Sequence, residues 1–145
     1  VNYRDTLWES EAACKEVADQ VYDYVDFLKI SEEELYFVGG EENIPNFMKE
    51  HGISVVIETL GADGAIYFFN GHSEHVPGHK VHAVDATGAG DAFFAGVAIG
   101  MTYGKELKEA VEIGTRLAAS VIITTDNVCP RFLPKELGLD IEVEE

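Results

Sequence analysis

The run Ser54-Val55-Val56-Ile57-Glu58-Thr59 constrains the fold more than any other segment. Its β-branched side chains favour extended backbone. Three consecutive apolar residues leave neither face of the strand polar, so both faces need cover. That is the situation of a central strand in a sheet flanked by helices. The flanking sequence supplies the cover. In a chain of 145 residues, of which 46% are hydrophobic, there is enough apolar surface for one real core.

Reading outward from that strand, Ser10 to Val25 predicts an amphipathic helix, with Val17, Val21, Tyr24, Val25 and Leu28 on its apolar side. Asp26 to Ile30 predicts a short strand. Ser31 with Glu34 forms a capping-box pattern opening a short helix that ends at Gly39-Gly40. Asn43 to His51 predicts another helix, stopped by Gly52. Leu60 to Gly64 turns the chain, and Ala65 to Phe69 predicts a strand. Asn70-Gly71 is a strong hairpin signal, with Ser73 to Val76 returning and Pro77-Gly78 ending the return. Lys80 to Val84 reads as a further extended run. Asp91 to Tyr103 predicts a helix whose Ala92, Ala95, Gly96, Ala98 and Gly100 allow close approach by a neighbour. Glu106 to about Ile123 predicts the last long helix, and the acidic tail Asp140 to Glu145 a solvated end. The alternation implies an α/β class, a mainly parallel sheet with helices on both faces and one β-hairpin, in a single domain over residues 1–145.

Charge excludes whole classes of partner. Ten basic residues against 27 acidic ones give a formal charge of −17. Nucleic-acid backbones and anionic membrane surfaces repel such a chain. A small anion remains accessible, because backbone amides at a helix N-terminus bind phosphate without net basic charge. Cys14 and Cys129 are too few for a disulfide scaffold and read as reduced, partly buried thiols. No membrane span or signal peptide is visible in the sequence, so a cytoplasmic location is the expectation.

The chemistry concentrates in Val84-Asp85-Ala86-Thr87-Gly88-Ala89-Gly90-Asp91-Ala92-Phe93. An extended run enters it and a helix leaves it. The small residues leave backbone N–H groups sterically open where a helix start has no internal acceptors for them. With the helix dipole, these amides make an anion site, and Asp91 falls in the first turn beside it. A carboxylate next to an anion hole suits phosphoryl transfer: the amides hold developing charge and the carboxylate accepts a hydroxyl proton. Asp in a first turn is also favourable for structural reasons alone. Two other nucleotide motifs are excluded, since no Lys follows the second Gly and Phe93 stands where a dinucleotide fingerprint needs Gly.

The longer string Asp85-Ala86-Thr87-Gly88-Ala89-Gly90-Asp91-Ala92-Phe93 resembles the C-terminal signature of the ribokinase-like (PfkB-type) carbohydrate kinases. Asn2-Tyr3-Arg4 with Leu7-Trp8 resembles a segment of fructokinases and 2-keto-3-deoxygluconate kinases. Lys29 to Leu35 resembles the family's Asn-x-x-Glu region in its Ser form, and Thr59-Leu60-Gly61-Ala62-Asp63-Gly64 its nucleotide-side turn. The resemblance implies a ribokinase-like three-layer αβα fold, without the N-terminal half and lid of such kinases. It implies Asp91 as catalytic base, with the amides of Gly88, Ala89 and Gly90 as anion hole. Thr59, Gly61, Gly64 and Arg4 would lie toward ATP, and Glu34 would order Mg²⁺ through water. Asp85 and Thr87 would belong to a monovalent-cation loop for K⁺, and Ala118 to Val128 would border adenine. Asp126 to Pro130 departs from the family's usual adenine loop.

On this resemblance the chain is the ATP-side portion of a fructokinase-like enzyme phosphorylating a sugar hydroxyl, with 2-keto-3-deoxygluconate kinase or another sugar or nucleoside kinase of the family as the second reading. The portion alone is expected to be inactive. An uncovered sheet edge and apolar face would invite self-association into a homodimer. Two readings of another class stand beside these. One is a non-catalytic interaction fragment. The other is a metal-binding module built on His72, His75, His79 and His82.

Overall fold

The computed structural model describes residues 3–126 and 128–139; Val1, Asn2, Asn127 and the acidic tail from Asp140 lie outside the described residues. The chain divides into two compact units, Val1–Gly61 with Ala65–His75, and Ala62–Gly64 with Val76–Glu145.

The first unit is built on strands β1 (Phe27–Ser31), β2 (Val55–Thr59), β3 (Ala65–Phe69) and β4 (His72–Val76), in that spatial order. β1 and β2 run parallel, with Leu28 opposite Val56 and Ser31 opposite Thr59. β2 and β3 run antiparallel, with Glu58 opposite Ile66. The sheet is therefore mixed, which corrects the expectation of a mainly parallel one. The reason lies in connection length: a parallel return needs a dozen or more residues. Only the connection from β1 to β2 is that long; β3 follows β2 after a single tight turn at Gly61–Asp63. The Asn70-Gly71 hairpin forms as expected, with both residues at positive φ, 50° and 76°.

Helix α1 spans only Glu11–Asp19, shorter than expected, with the Ser10 hydroxyl accepting the Ala13 N–H at 3.1 Å. A 3₁₀ turn at Tyr22–Tyr24 then changes the periodicity from 3.6 to 3.0 residues per turn. It swings Tyr22 into the core, edge-on to Phe47 at 4.8 Å between ring centroids. Of the anticipated apolar side, Val17, Val21 and Tyr24 are exposed, whereas Leu28 is buried on β1 and Val25 packs against the core. The segment after Ser31 is 3₁₀ rather than α, Glu32–Val38, and ends at Gly39 as anticipated. Helix α2 spans Ile44–His51, starts with Pro45 in its first turn and stops at Gly52. Its Ile44 and Phe47 join Leu28, Ile30, Val38, Ile53 and Val56 in one apolar cluster.

The second unit carries α3 (Ala89–Thr102) and α4 (Leu107–Ile122), which pack closely. A Cβ on Gly96 would sit 2.8 Å from the Gly114 Cα, so the small-residue face does bring a neighbour close. Ala92, Ile113, Leu117, Val121 and Leu139 form the apolar cluster of this unit. Pro134–Leu137 makes a short 3₁₀ turn that was not anticipated. The expected extended run at Lys80 to Val84 is not a strand; Val84 instead donates its N–H to the Ile122 carbonyl at 2.6 Å, at the end of α4. Among the described residues no helix is long and apolar enough to cross a membrane.

Candidate active site

In the first unit, four anticipated positions gather near the C-terminal ends of the parallel pair β1–β2, where open α/β sheets bind ligands. Ser31 and Thr59 are register partners there. The Thr59 hydroxyl donates to the Ile30 carbonyl at 3.3 Å, and Gly61 opens the turn two residues on at φ 57°. Glu34 ties these ends to the start of the chain. One carboxylate oxygen accepts the Ser31 N–H and the other accepts the Tyr3 N–H, both at 3.0 Å. Burial pushes the Glu34 carboxyl up, but the amides of Ser31 and Tyr3 more than offset this and hold it below the usual glutamate value. Arg4 follows directly, its guanidinium donating to the Tyr3 carbonyl at 3.0 Å. The Tyr3 amide had no signature in the sequence, because it meets Glu34 across 31 residues.

In the second unit, the Asp85–Asp91 loop delivers the helix start. The Asp85 carboxylate accepts the Thr87 N–H at 2.8 Å, which closes a tight turn and lowers the Asp85 pKa. Gly88 takes φ 83°, a left-handed conformation open to Gly at little cost, and serves as N-cap of α3, accepting the Ala92 N–H at 2.9 Å. The helix starts at Ala89, two residues earlier than expected, which puts Asp91 at its third position. The Ala89 N–H donates back to the Ala86 carbonyl at 3.2 Å. Among the described residues, the amides of Gly88, Gly90 and Asp91 have no backbone acceptor. The open set is therefore Gly88, Gly90 and Asp91, not the anticipated Gly88, Ala89 and Gly90. Placing the N-cap at Gly88 rather than nearer Asp91 would have identified the Asp91 amide from sequence. The Asp91 side chain is exposed at the mouth of this helix end.

Gly64 also has a packing role that was not anticipated. It sits at φ 98°, where an added Cβ would lie 2.1 Å from the Val76 carbonyl oxygen and 2.4 Å from the Gly78 nitrogen. Its lack of a side chain lets two backbone segments cross. Of the residues expected to border adenine, Ala118, Ala119 and Ser120 are half-buried on the last turns of α4, and Asn127 is outside the described residues. The histidines do not form a metal centre: His72 and His75 lie three apart on β4, which sends them to opposite faces, and among the described residues no group of three or more His, Cys, Asp or Glu is placed to hold a metal ion. Cys14 and Cys129 are free thiols, the first buried and the second half-buried.

Each unit, taken by itself, offers oxygen ligands of the kind hard cations take. Both Glu34 oxygens already hold a backbone N–H, so its remaining lone pairs fit a cation through water rather than directly. The ionised Asp85 turn, with the Thr87 hydroxyl beside it, fits a monovalent cation.

Comparison with known proteins identifies the family. The family description "pfkB family carbohydrate kinase" matches residues 1–130. A fructokinase from Escherichia coli is 31% identical over 131 residues, covering 83% of this chain and 43% of the relative. Among solved structures, a fructokinase from Vibrio cholerae O395 in a fructose-, ADP- and potassium-bound form aligns with a TM-score of 0.76 at 26% identity, over 85% of this chain and 43% of that one. An aminoimidazole riboside kinase from Salmonella enterica, complexed with aminoimidazole riboside and an ATP analogue, aligns with a TM-score of 0.78 at 26% identity, over 95% and 49%. The chain thus spans less than half the length of these relatives, and its ribokinase-like fold is that portion of theirs. It belongs to the pfkB family of carbohydrate kinases.

Proposed function

We propose that this chain supplies the phosphoryl-transfer half of an ATP-dependent sugar kinase. The observation that carries the reading is the start of α3, where open amides of Gly88, Gly90 and Asp91 stand beside the exposed Asp91 carboxylate. In this reading the acceptor hydroxyl of the sugar attacks the γ-phosphorus of ATP. Asp91 takes the hydroxyl proton as the oxygen–phosphorus bond forms. The open amides, with the positive end of the α3 dipole, hold the negative charge growing on the transferred group. Thr59, Gly61 and Arg4 bind the other phosphates. Mg²⁺, when bound, neutralises charge on the β- and γ-phosphates. Glu34 orients water toward that cation, and Asp85 with Thr87 holds a monovalent cation near the helix start. The relatives named fructokinase favour fructose as acceptor. The remaining sugar contacts belong, in this reading, to the part of the fold that relatives carry beyond the matched region.

The test is calorimetric titration of the chain with Mg·ATP, with and without K⁺. Saturable binding that is lost in Gly90→Val supports the reading; binding unaffected by Gly90→Val refutes the anion hole. In a full-length kinase containing this segment, Asp91→Asn should cut turnover by about 10²–10⁴ while leaving sugar binding little changed. Near-normal turnover would remove Asp91 from the mechanism.

A further inference from the structure

Glu58 stands apart from every role described above. It lies on β2 in the middle of a sheet, flanked by Ile30 on β1 and Ile66 on β3. It is 1% exposed, and one carboxyl oxygen has no hydrogen-bond partner. On this face of the sheet Val38 and Leu35 of the 3₁₀ helix Glu32–Val38 pack with Ile30 and Val56, and the charges that act on Glu58 are those of two acids, Glu41 in the 3₁₀ turn Glu41–Asn43 and Glu32. Among the described residues, both charges that act on it are negative. An ionised carboxylate in such a place is expensive, and the protonated acid is cheap.

We propose that Glu58 is a proton-held latch of the first unit, keeping the 3₁₀ segments 32–43 closed over the sheet while neutral and loosening them when it ionises. Burial, then the charges of Glu41 and Glu32, hold its carboxyl above the usual glutamate value. Loosening would reach the candidate nucleotide end directly, since Thr59 is the next residue and its register partner Ser31 leads into the first of those segments. The sign follows from linkage. A group with a raised folded-state pKa contributes stability that is complete below its unfolded value and disappears as pH rises through the folded value. Ordinary acid–base behaviour of this −17 chain cannot substitute for this, because the proposal predicts a loss that one residue carries.

The experiment is carbon-13 NMR titration of the glutamate-labelled chain, with the Glu58 signal assigned from Glu58→Gln, alongside thermal melts from pH 5 to pH 9. The Glu58 midpoint should lie above those of the exposed glutamates. The melting temperature of the unsubstituted chain should fall toward pH 9, and Glu58→Gln should remove that fall and melt higher at pH 8. A tenfold shift in proton affinity corresponds to about 4 °C for a chain this size. Glu41→Gln, an exposed change that does not touch the core, should move the Glu58 midpoint to lower pH. Amide exchange in segment 32–43 should accelerate with pH beyond the intrinsic rate in the unsubstituted chain only. A Glu58 midpoint at the ordinary value, a pH profile identical in Glu58→Gln, or an immobile midpoint in Glu41→Gln would each overturn the latch.

Discussion

Replacing Gly96 with Ala tests the packing that sets α3 in place. Helix propensity alone predicts a gain of about 1 kcal/mol, because Ala is the better helix former. The structure predicts the opposite sign. A Cβ on Gly96 would lie 2.8 Å from the Gly114 Cα, 3.0 Å from its nitrogen and 3.1 Å from the Ile113 carbonyl carbon. All three are backbone atoms, so no side chain can rotate aside. Ordinary carbon–carbon contact is about 3.5–4.0 Å, so α3 and α4 must separate locally by roughly 0.7–1 Å. That opens the seam around Phe93, Val97 and Ile113, all buried, and a gap of this size forfeits a quarter to a half of each dispersion contact. Overpacking costs about 1–3 kcal/mol, and contact with rigid backbone puts this site at the upper end. The net effect is a destabilisation of about 2 kcal/mol, or about 6 °C in Tm for a chain of this length. Thermal melts by circular dichroism read it directly. Ala98→Gly, on the exposed side of the same helix, is the control for propensity and should cost about 2–3 °C. A rise in Tm for Gly96→Ala would refute the close-approach argument.

Other substitutions follow from single geometries. Gly64→Ala combines a left-handed φ of 98° with a Cβ 2.1 Å from the Val76 carbonyl, so it should cost about 3 kcal/mol or more and show as poor recovery of folded protein. Ser10→Ala removes the acceptor of the Ala13 N–H and should lower Tm by about 3 °C, the scale of a lost N-cap. Glu34→Gln should weaken the chain in acid-dependent fashion. Its folded pKa is lowered, so its stabilisation is present above the unfolded glutamate value and lost as pH falls through the folded one. The unsubstituted chain should therefore lose its advantage over Glu34→Gln as pH falls below the ordinary glutamate value, as measured by urea melts across the acid range.

Much of this was legible because local rules and the tertiary structure agree. The β-branched run of β2, Asn70-Gly71, and the glycines closing the 3₁₀ helix and α2 all form where the residue chemistry places them, and the Gly-Ala-Gly-Asp helix start is displaced by only two residues. The misreadings also have physical causes. Val17, Val21 and Tyr24 fit a helical stripe, yet the 3₁₀ turn at Tyr22–Tyr24 breaks the helical period and buries Tyr22 edge-on to Phe47 instead. Lys80 to Val84 has strand chemistry but pairs with no strand among the described residues, and its end donates to the last turn of α4 instead.

The sequence by itself carried the family resemblance, the glycine-rich turn that leads into the Asp91 helix, and the net charge of −17, because each rests on residue identity and short spacing. Tertiary structure alone decided three things. It chose which amides stay open, since the turn bond from Ala89 to Ala86 depends on backbone angles. It joined Glu34 to Tyr3 across 31 residues. It also buried Glu58 among Ile30 and Ile66 facing two further acids. Hydrogen bonds and desolvation act through space, over distances that chain spacing does not encode.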